Sequence, residues 1–339
     1  MGRAIRMQRM STQPPLRIGI LGAARIAPMA LIRPAKQVPE AAIVAVAARD
    51  PARARAFAGK HGIARIADGY DALLADPEID AIYNPLPNSL HAQWSIKAME
   101  AGKHVLCEKP LASNADEART MVQAAARCNR LLVEAFHYRY HPLAARMKAI
   151  VDSGALGPIR HIEATMCIPL VIPGDIRYRW ELAGGASMDV GCYTINLVRF
   201  LAGAEPEVVR AEARLSSPKV DRWMTADVRF PDGRTGRITC SLFSTQLLRV
   251  RALVRGDRGE MRVFNPIAPH LYHRLTTRTP DGTKTERVAG DATYTHQLRA
   301  FVDAVRNHTP VLTTAEDGVA NMQVIDAVYD KAGLPRRGA

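Results

Sequence analysis

The sequence has 339 residues, 47% of them hydrophobic, a length that favours two well-packed domains. Its 46 lysines and arginines outnumber the 33 aspartates and glutamates, but the cations are scattered singly rather than gathered with aromatic residues. This arrangement argues against nucleic acid as the main partner. No apolar run approaches the roughly 20 residues that cross a bilayer, so we expect no membrane partner.

The cysteines and the first 15 residues indicate the cellular compartment. The five cysteines are widely spaced and include no Cys-x-x-Cys pair, which favours neither a disulfide framework nor a zinc site. Residues 1–15 are basic but lack the apolar core of a secretory signal, and we predict a disordered tail. The expected compartment is the reducing cytoplasm.

From residue 16 onward, short apolar runs alternate with helical patterns. Such alternation predicts βαβ units, and the unbroken hydrophobicity of the runs is typical of parallel strands covered on both faces. We therefore predict a doubly wound domain of the Rossmann type over residues 16–137. The runs are RIGIL (17–21), AAIVAVA (41–47), DAIYNPL (80–86), HVLCE (104–108) and LLVEAF (131–136).

The second half of the chain has a different pattern. After about residue 155 it is rich in Arg- and Thr-containing strand candidates, with turns such as PDGR and PDGT between them. We predict an α+β domain over residues 138–339, built on a large, open, mostly antiparallel sheet. Its strand candidates are 159–168, 207–215, 223–230, 234–243, 247–255 and 259–264, and its helix candidates are 186–201, 294–307 and 315–331.

The first predicted strand runs into RIGILGAARIA, which resembles a dinucleotide-binding fingerprint. Gly22, Ala24 and Ala27 occupy its three small-residue positions, at a strand-to-helix turn whose backbone N–H groups can meet a pyrophosphate. Arg25 and Ile26 lie within the same turn. The methyl group of Ala24 restricts close approach, so a purely structural turn is the alternative.

The second predicted strand ends Ala47-Ala48-Arg49-Asp50. An NAD-type site would have a carboxylate near Ala48, whereas Arg49 suits the 2′-phosphate of NADP. We therefore expect NADP, with NAD as the second choice. In the alternative, Arg49 is solvated and Asp50 caps the next helix.

Four segments together resemble the Gfo/Idh/MocA family of oxidoreductases: GILGAARIA, DAIYNPLPNSLHAQWSIKAMEAGKHVLCEKPLA, EAFHYRYHP and GGASMDVGCYTINLVRFL. The likeness is strong over residues 16–201 and extends beyond them in pattern only. It is greatest to the branch with dihydrodiol dehydrogenase, NADP-dependent xylose dehydrogenase and glucose-fructose oxidoreductase.

The resemblance assigns roles to the Glu-Lys-Pro segment at the end of HVLCEKP. Lys109 matches the family lysine whose ammonium lies beside the substrate and the nicotinamide, and Glu108 matches a residue near the nicotinamide ribose. Pro110 is expected to fix the turn that directs Lys109, through a cis bond.

The same resemblance places the segment NPLPN after the fourth strand, beside the cofactor. Asn84 and Pro85 are expected to face it, and Asn88 is expected to begin the next helix. His91 lies one helical turn further on, as a wall of the cofactor site rather than a base.

The segment Asp189-Val-Gly-Cys-Tyr193 matches the family's Asp-x-Gly-x-His/Tyr element in its tyrosine form. A spacing of four places both side chains on one face of a helix. Tyr193 is the expected acid/base, with Asp189 orienting the substrate and the Lys109 ammonium lowering the tyrosine pKa. A tyrosine of the apolar core is the alternative.

Two further segments complete the predicted site. In HYRYH, His137 and Tyr138 resemble residues that line the interdomain cleft and contact substrate. A zinc helix through His137 and His141 is the weaker alternative, because the motif lacks the glutamate of the metalloproteases. Arg177 matches an arginine that the family presents to cofactor or substrate.

The resemblance implies an NADP-dependent dehydrogenase or reductase that interconverts hydroxyl and carbonyl groups on a sugar or cyclic polyol. The cysteine and histidine spacings predict no metal, and we expect a homodimer or homotetramer formed through the C-terminal sheet. Two alternatives remain open: an NAD-dependent glycosidase of the same fold, and a dinucleotide-sensing regulator without catalytic activity.

Overall fold

The computed structural model describes residues 13–172 and 174–338, so most of the predicted tail over residues 1–15 lies outside the described residues. The described chain forms two sheets, one parallel with six strands and one mostly antiparallel with eight, which confirms the predicted fold class. The six strands of the first sheet are β1 (Leu16–Leu21), β2 (Ala41–Ala47), β3 (Arg65–Ile66), β4 (Ala81–Asn84), β5 (His104–Cys107) and β6 (Leu132–Glu134).

The first sheet has the strand order β3-β2-β1-β4-β5-β6, with all neighbours parallel. The order reverses between β1 and β4, and ligands of such sheets bind at the carboxyl ends beside that reversal. Asp50 caps the second helix by accepting the N–H groups of Ala52 and Arg53. The helices are α1 (Arg33–Ala35, continuing a π turn over Pro28–Ile32), α2 (Pro51–His61), α3 (Tyr70–Ala75), α4 (His91–Glu100) and α5 (Ala115–Cys128).

The second sheet contains two strands that the sequence did not predict, at its end. Its strands are β7 (Ile159–Cys167), β8 (Glu207–Ser217), β9 (Val220–Arg229), β10 (Thr235–Ser241), β11 (Arg249–Gly256), β12 (Gly259–Phe264), β13 (Arg274–Thr279) and β14 (Gly282–Glu286). The order is β14-β13-β12-β11-β7-β10-β9-β8, and only β7 and β10 pair in parallel. The helices of this half are α6 (Pro142–Asp152), α7 (Cys192–Ala202), α8 (Thr293–Asn307) and α9 (Ala315–Lys331).

The last two helices return to the first sheet. Leu298 and Phe301 of α8 belong to the same buried cluster as Ile18 and Ile20 of β1. Helix α9 packs along α5, and Val133 of β6 forms an isolated bridge with Thr314. The two halves of the molecule are therefore joined by extensive packing as well as by the chain.

Arg337, which follows α9, is fully buried. Its guanidinium donates to Asp221 of β9 at 2.8 Å and to the carbonyl of Gly184 at 2.7 Å. It also lies between two aromatic rings, 4.1 Å from the centroid of Tyr329 and 4.8 Å from that of Trp180. This cluster, the Arg337 clamp, holds the Gly184 turn against the second sheet.

Candidate active site

Two adjoining cavities lie at the carboxyl ends of the parallel strands. The outer cavity, of about 640 Å³, is bounded by the turns after β1 and β2. The inner cavity, of about 280 Å³, is bounded by the turn after β5 and by the start of α7. Pro85 and Arg177 line both, so a ligand can extend from one into the other.

The turn after β1 brings backbone close to the outer cavity. Gly22 has a φ of 82°, a left-handed conformation that favours glycine, and its N–H donates to the Ala47 carbonyl at 2.6 Å. A methyl group at Gly22 would lie 3.0 Å from a methyl carbon of Leu86. Ala24 and Ile26 also line this cavity. The geometry fits the predicted dinucleotide turn.

Five arginines line the outer cavity, and four of them, Arg25, Arg49, Arg53 and Arg179, are exposed. Arg49, the predicted 2′-phosphate ligand, lies at its edge with Arg53, which the sequence analysis did not single out. Arg25 forms an ion pair of 2.7 Å with Asp175, which comes from the second half of the chain. Arg177 also pairs with Asp175, at 3.2 Å.

The loop after β4 contains predicted residues with different surroundings. Asn84 is fully buried and donates to the Ser95 hydroxyl, so its side chain supports the loop from behind. Asn88 donates to the Ala183 carbonyl at 3.0 Å and lines the inner cavity. His91 is buried, with its ring nitrogens 2.8 Å from the carbonyl oxygens of Leu86 and Pro110. Burial lowers the His91 pKa to about 4.

Charged side chains meet in the inner cavity. The Lys109 ammonium donates to the Asp189 carboxylate at 3.2 Å and to the Asp189 backbone carbonyl at 2.8 Å. Arg177 reaches the other carboxylate oxygen of Asp189 at 2.9 Å. The Lys109–Pro110 bond is cis. Asp189 lies in a π turn, Ser187–Gly191, which leads into α7.

The pKa values in this group reflect burial and mutual pairing. Burial acts to lower the Lys109 pKa, but the Asp189 carboxylate, together with Cys192 and Glu108, outweighs it and the pKa is raised. Burial acts to raise the Asp189 pKa, but Lys109 and Arg177 outweigh it and the pKa is lowered. All three side chains therefore stay charged around neutral pH.

The pKa of Tyr193 is shifted in the direction opposite to the one expected. Its pKa is raised well above the ordinary value, chiefly because the phenol is buried. The Lys109 ammonium lies over the ring face, 4.9 Å from its centroid, and its hydrogen bonds go to Asp189 rather than to the Tyr193 hydroxyl. The expectation that Lys109 lowers the tyrosine pKa is wrong for this structure, where Tyr193 is a neutral phenol.

The Tyr193 hydroxyl has a partner that sequence spacing did not reveal. His137 places its Nε2 atom 3.1 Å from the hydroxyl oxygen, and burial lowers the His137 pKa to about 3. Tyr138 is fully buried and donates to Asn196 at 2.6 Å, so it belongs to the core behind the site.

Two buried glutamates lie near the inner cavity. Glu108 lines it and accepts a 2.6 Å hydrogen bond from the Tyr83 hydroxyl, and burial raises its pKa. Glu134, the last residue of β6, is fully buried; burial and the nearby Asp317 carboxylate raise its pKa to about 8. Glu134 and Tyr83 were missed because their sequence context is simply that of a buried strand.

Asp175 is the most consequential residue that the sequence analysis missed. It is buried, and it joins Arg25 and Arg177, which approach the cavities from opposite halves of the molecule. Its partner Arg25 is 150 residues away in the chain, so no local pattern indicates the pair.

Residues 13–172 and 174–338 contain neither a metal-binding cluster nor a membrane-spanning helix. No group of three or more His, Cys, Asp or Glu side chains in that range could hold a metal ion. His141, half of the weaker zinc alternative, instead caps α6 by accepting the Leu143 N–H. None of the described helices combines the length and apolar character needed to cross a bilayer.

Comparison with known proteins identifies similar chains. A family model described as oxidoreductase family, NAD-binding Rossmann fold, matches residues 16–136, and a GFO/IDH/MocA C-terminal domain model matches residues 144–262. A D-xylose 1-dehydrogenase (NADP(+)) of Haloferax volcanii is 36% identical over 93% of this chain and 96% of its own length. A dTDP-3,4-didehydro-2,6-dideoxy-alpha-D-glucose 3-reductase of Streptomyces violaceoruber is 35% identical over 86% of this chain and 85% of its own.

A solved structure is similar over nearly the whole chain. It is a 3-ketoreductase from Actinomadura kijaniata in complex with NADP and TDP-benzene, with a TM-score of 0.87 and 30% sequence identity. The match covers 94% of this chain and 98% of that one.

Proposed function

Because the chain belongs to the Gfo/Idh/MocA family of oxidoreductases, we propose that it uses NADP to interconvert a hydroxyl and a carbonyl group on a sugar or cyclic polyol. The family models confirm the resemblance noted in the sequence motifs. The observation that carries the proposal is the meeting of Lys109, Asp189 and Tyr193 in an inner cavity that opens into a dinucleotide-sized outer one.

The outer cavity is the proposed site for the adenosine and pyrophosphate of the cofactor. Gly22 allows the backbone to approach the pyrophosphate, and Arg49 and Arg53 offer exposed guanidinium groups to a 2′-phosphate. Both the xylose dehydrogenase and the 3-ketoreductase are named with NADP, which supports the same choice here. NAD remains the second choice because Ala24 and Ile26 would contact either form.

A bound nicotinamide supplies the hydride donor or acceptor. Tyr193 holds the proton that the substrate oxygen gains or loses, and as a neutral phenol it is ready to donate during carbonyl reduction. The Lys109 ammonium over the ring stabilises the phenolate that such a donation leaves. Asp189 fixes Lys109 and Arg177 and can accept hydrogen bonds from substrate hydroxyls.

The character of the inner cavity supports a hydroxyl-rich substrate. Its lining combines Glu108, Lys109, Asp189 and the amide of Asn88, groups that can exchange hydrogen bonds with several hydroxyls at once. The relatives act on sugar-type molecules by their names. A volume of about 280 Å³ suits one small ring.

Three broader assignments complete the proposal. The boundary between a dinucleotide-binding domain (16–137) and a substrate and oligomerisation domain (138–339) falls in the turn His137–Tyr140. The exposed face of the second sheet, with ion pairs such as Glu163 to Arg251, is the proposed contact of a homodimer or homotetramer. The five cysteines are free, which suits the cytoplasm.

The test is a panel of aldoses, cyclic polyols and cyclic dihydrodiols, assayed with NADP and NAD in parallel by reduced-nicotinamide absorbance, and a matching panel of keto-sugars with the reduced cofactors. We expect NADP-dependent turnover of at least one sugar or polyol. Release of an aglycone without net cofactor reduction would instead indicate the glycosidase, and tight dinucleotide binding without any turnover would indicate the sensor.

A further inference from the structure

A line of hydrogen-bonding groups leads from Tyr193 away from the cavities. The Tyr193 hydroxyl lies 3.1 Å from Nε2 of His137, whose Nδ1 atom lies 2.8 Å from the hydroxyl of Thr293. That hydroxyl lies 3.4 Å from Nδ1 of His270. His270 lies between β12 and β13 and is partly exposed, so the line ends at solvent.

The donors and acceptors in this line follow one direction. Tyr193, a neutral phenol, donates to Nε2 of His137, and the neutral imidazole must then carry its hydrogen on Nδ1. Nδ1–H donates to the Thr293 oxygen, and the Thr293 hydroxyl is left to donate to Nδ1 of His270. His137 and Thr293 thus each give one hydrogen bond and receive one along the line, and Nδ1 of His270 lies 3.4 Å from both the hydroxyl and the backbone N–H of Thr293.

The surroundings keep this line separate from the cavities. His137 and Thr293 are buried, and the Tyr294 ring lies against His137 with 4.0 Å between centroids. Burial lowers the His137 pKa, and the Lys109 ammonium and His270 lower it further, so His137 stays neutral. His270 lines neither cavity.

We propose that His137, Thr293 and His270 form a proton relay that connects Tyr193 to solvent without passing through the substrate cavity. The proposal rests on the role given to Tyr193 above. None of the three lines either cavity, so in this proposal they act through Tyr193 as positioning residues for its proton, and His137 is not the substrate contact that the resemblance implied.

The proton balance is simple for alcohol oxidation. The Tyr193 oxygen takes the proton of the substrate hydroxyl while its own proton passes to Nε2 of His137. The Nδ1 proton of His137 passes to the Thr293 oxygen, and the Thr293 hydroxyl proton passes to Nδ1 of His270. His270 then releases its Nε2 proton to water. Carbonyl reduction uses the same transfers in reverse.

The test compares His270→Ala with the wild type in dilute and in concentrated imidazole buffer. We expect turnover of the variant to fall about tenfold in dilute buffer, with KM unchanged, and to recover as imidazole replaces the missing side chain. Wild-type turnover should not depend on the buffer. The matched control is His296→Ala, because His296 lies on α8 close to Thr293 but its ring packs on His141, outside the relay.

A second measurement does not depend on turnover. Nuclear magnetic resonance of histidine-labelled protein should find His137 with its hydrogen on Nδ1, and Thr293→Val should change that signal because the acceptor is lost. A hydrogen on Nε2 of His137, or a loss in His270→Ala that imidazole does not relieve, would overturn the relay. Normal turnover in Tyr193→Phe would instead reject the proposed function itself, so the two failures can be distinguished.

Discussion

The charged side chains of the two cavities differ in their exposure to solvent. Around the outer cavity, arginines extend into water, and even Arg25, which pairs with Asp175, keeps 70% of its side chain exposed. In the inner cavity, Lys109 and Asp189 are only 13% and 17% exposed and are bound to each other. A surface pair contributes little to stability, whereas removal of one partner of a buried pair leaves a costly unpaired charge.

Because of this difference, we expect residues of the outer cavity to affect cofactor affinity and residues of the inner cavity to affect the reaction itself. The exposed Arg49 and Arg53 can be replaced without leaving a buried carboxylate unpaired, so we expect single substitutions there to change the preference between NADP and NAD. The charged side chains of the inner cavity depend on one another, because Asp189 forms ion pairs with both Lys109 and Arg177. Substitutions there are expected to act together rather than independently.

The largest expected effect concerns Lys109 and Tyr193. Tyr193→Phe and Lys109→Ala should each reduce turnover by about two to four orders of magnitude, the range of general acid/base catalysis, with little change in NADP affinity. Because the ammonium acts on the Tyr193 ring, the double variant should be scarcely worse than either single one. Steady-state kinetics of the three variants, with cofactor affinity by calorimetry, measure this. Fully multiplicative losses would mean that the two residues work separately.

The next effect is on stability and concerns Glu134, behind the inner cavity. Its folded-state pKa of about 8 exceeds the ordinary 4.5, so between these pH values the folded protein holds a proton that the unfolded chain has lost. The free energy of unfolding should therefore fall as pH rises, by about 2 kcal/mol between pH 6 and pH 8. In urea unfolding, the Glu134→Gln variant should not show this loss of unfolding free energy between pH 6 and pH 8. The variant of an exposed glutamate, Glu316→Gln, should show the same loss as the wild type. An unchanged decline in Glu134→Gln would show that the carboxyl is ionised in the folded state.

The smallest expected effect is at the outer cavity. Arg49→Ala should weaken NADP binding by about tenfold, through loss of a charge-assisted contact with the 2′-phosphate, and leave NAD binding nearly unchanged. Isothermal titration with both cofactors measures the difference. Arg55→Ala is the control, because Arg55 is an exposed arginine of α2, the helix that follows Arg49, and does not line the outer cavity. Equal losses for the two cofactors would mean that Arg49 does not read the 2′-phosphate.

The sequence predicted five of the six parallel strands, because they are largely buried and form unbroken apolar runs. It missed β3 (Arg65–Ile66), which has only two residues and is not buried. It missed β13 and β14 because RLTTRT and GTKTE lie at the sheet edge, where Leu275 is the one fully buried side chain. The Glu-Lys-Pro segment and the spacing of Asp189 and Tyr193 predicted the residues that meet in the inner cavity, since both are local sequence patterns.

The remaining features of the site depend on the folded chain. The contact of His137 with Tyr193 spans 56 residues, and that of Arg25 with Asp175 spans 150. The pKa of Tyr193 depends on how deeply the phenol is buried and on where the Lys109 ammonium finds its hydrogen bonds, neither of which residue order specifies.

The Arg337 clamp also determines when the site can be completed during synthesis. Asp221 is synthesised 116 residues before Arg337, its ion-pair partner. Until Arg337 is present, burial of the Asp221 carboxylate would leave an unpaired buried charge. The carbonyl of Gly184, held by the same guanidinium, lies five residues before Asp189. The nascent chain can therefore form its Rossmann sheet early, but the turn that leads to Asp189 is fixed only once Arg337 has been synthesised.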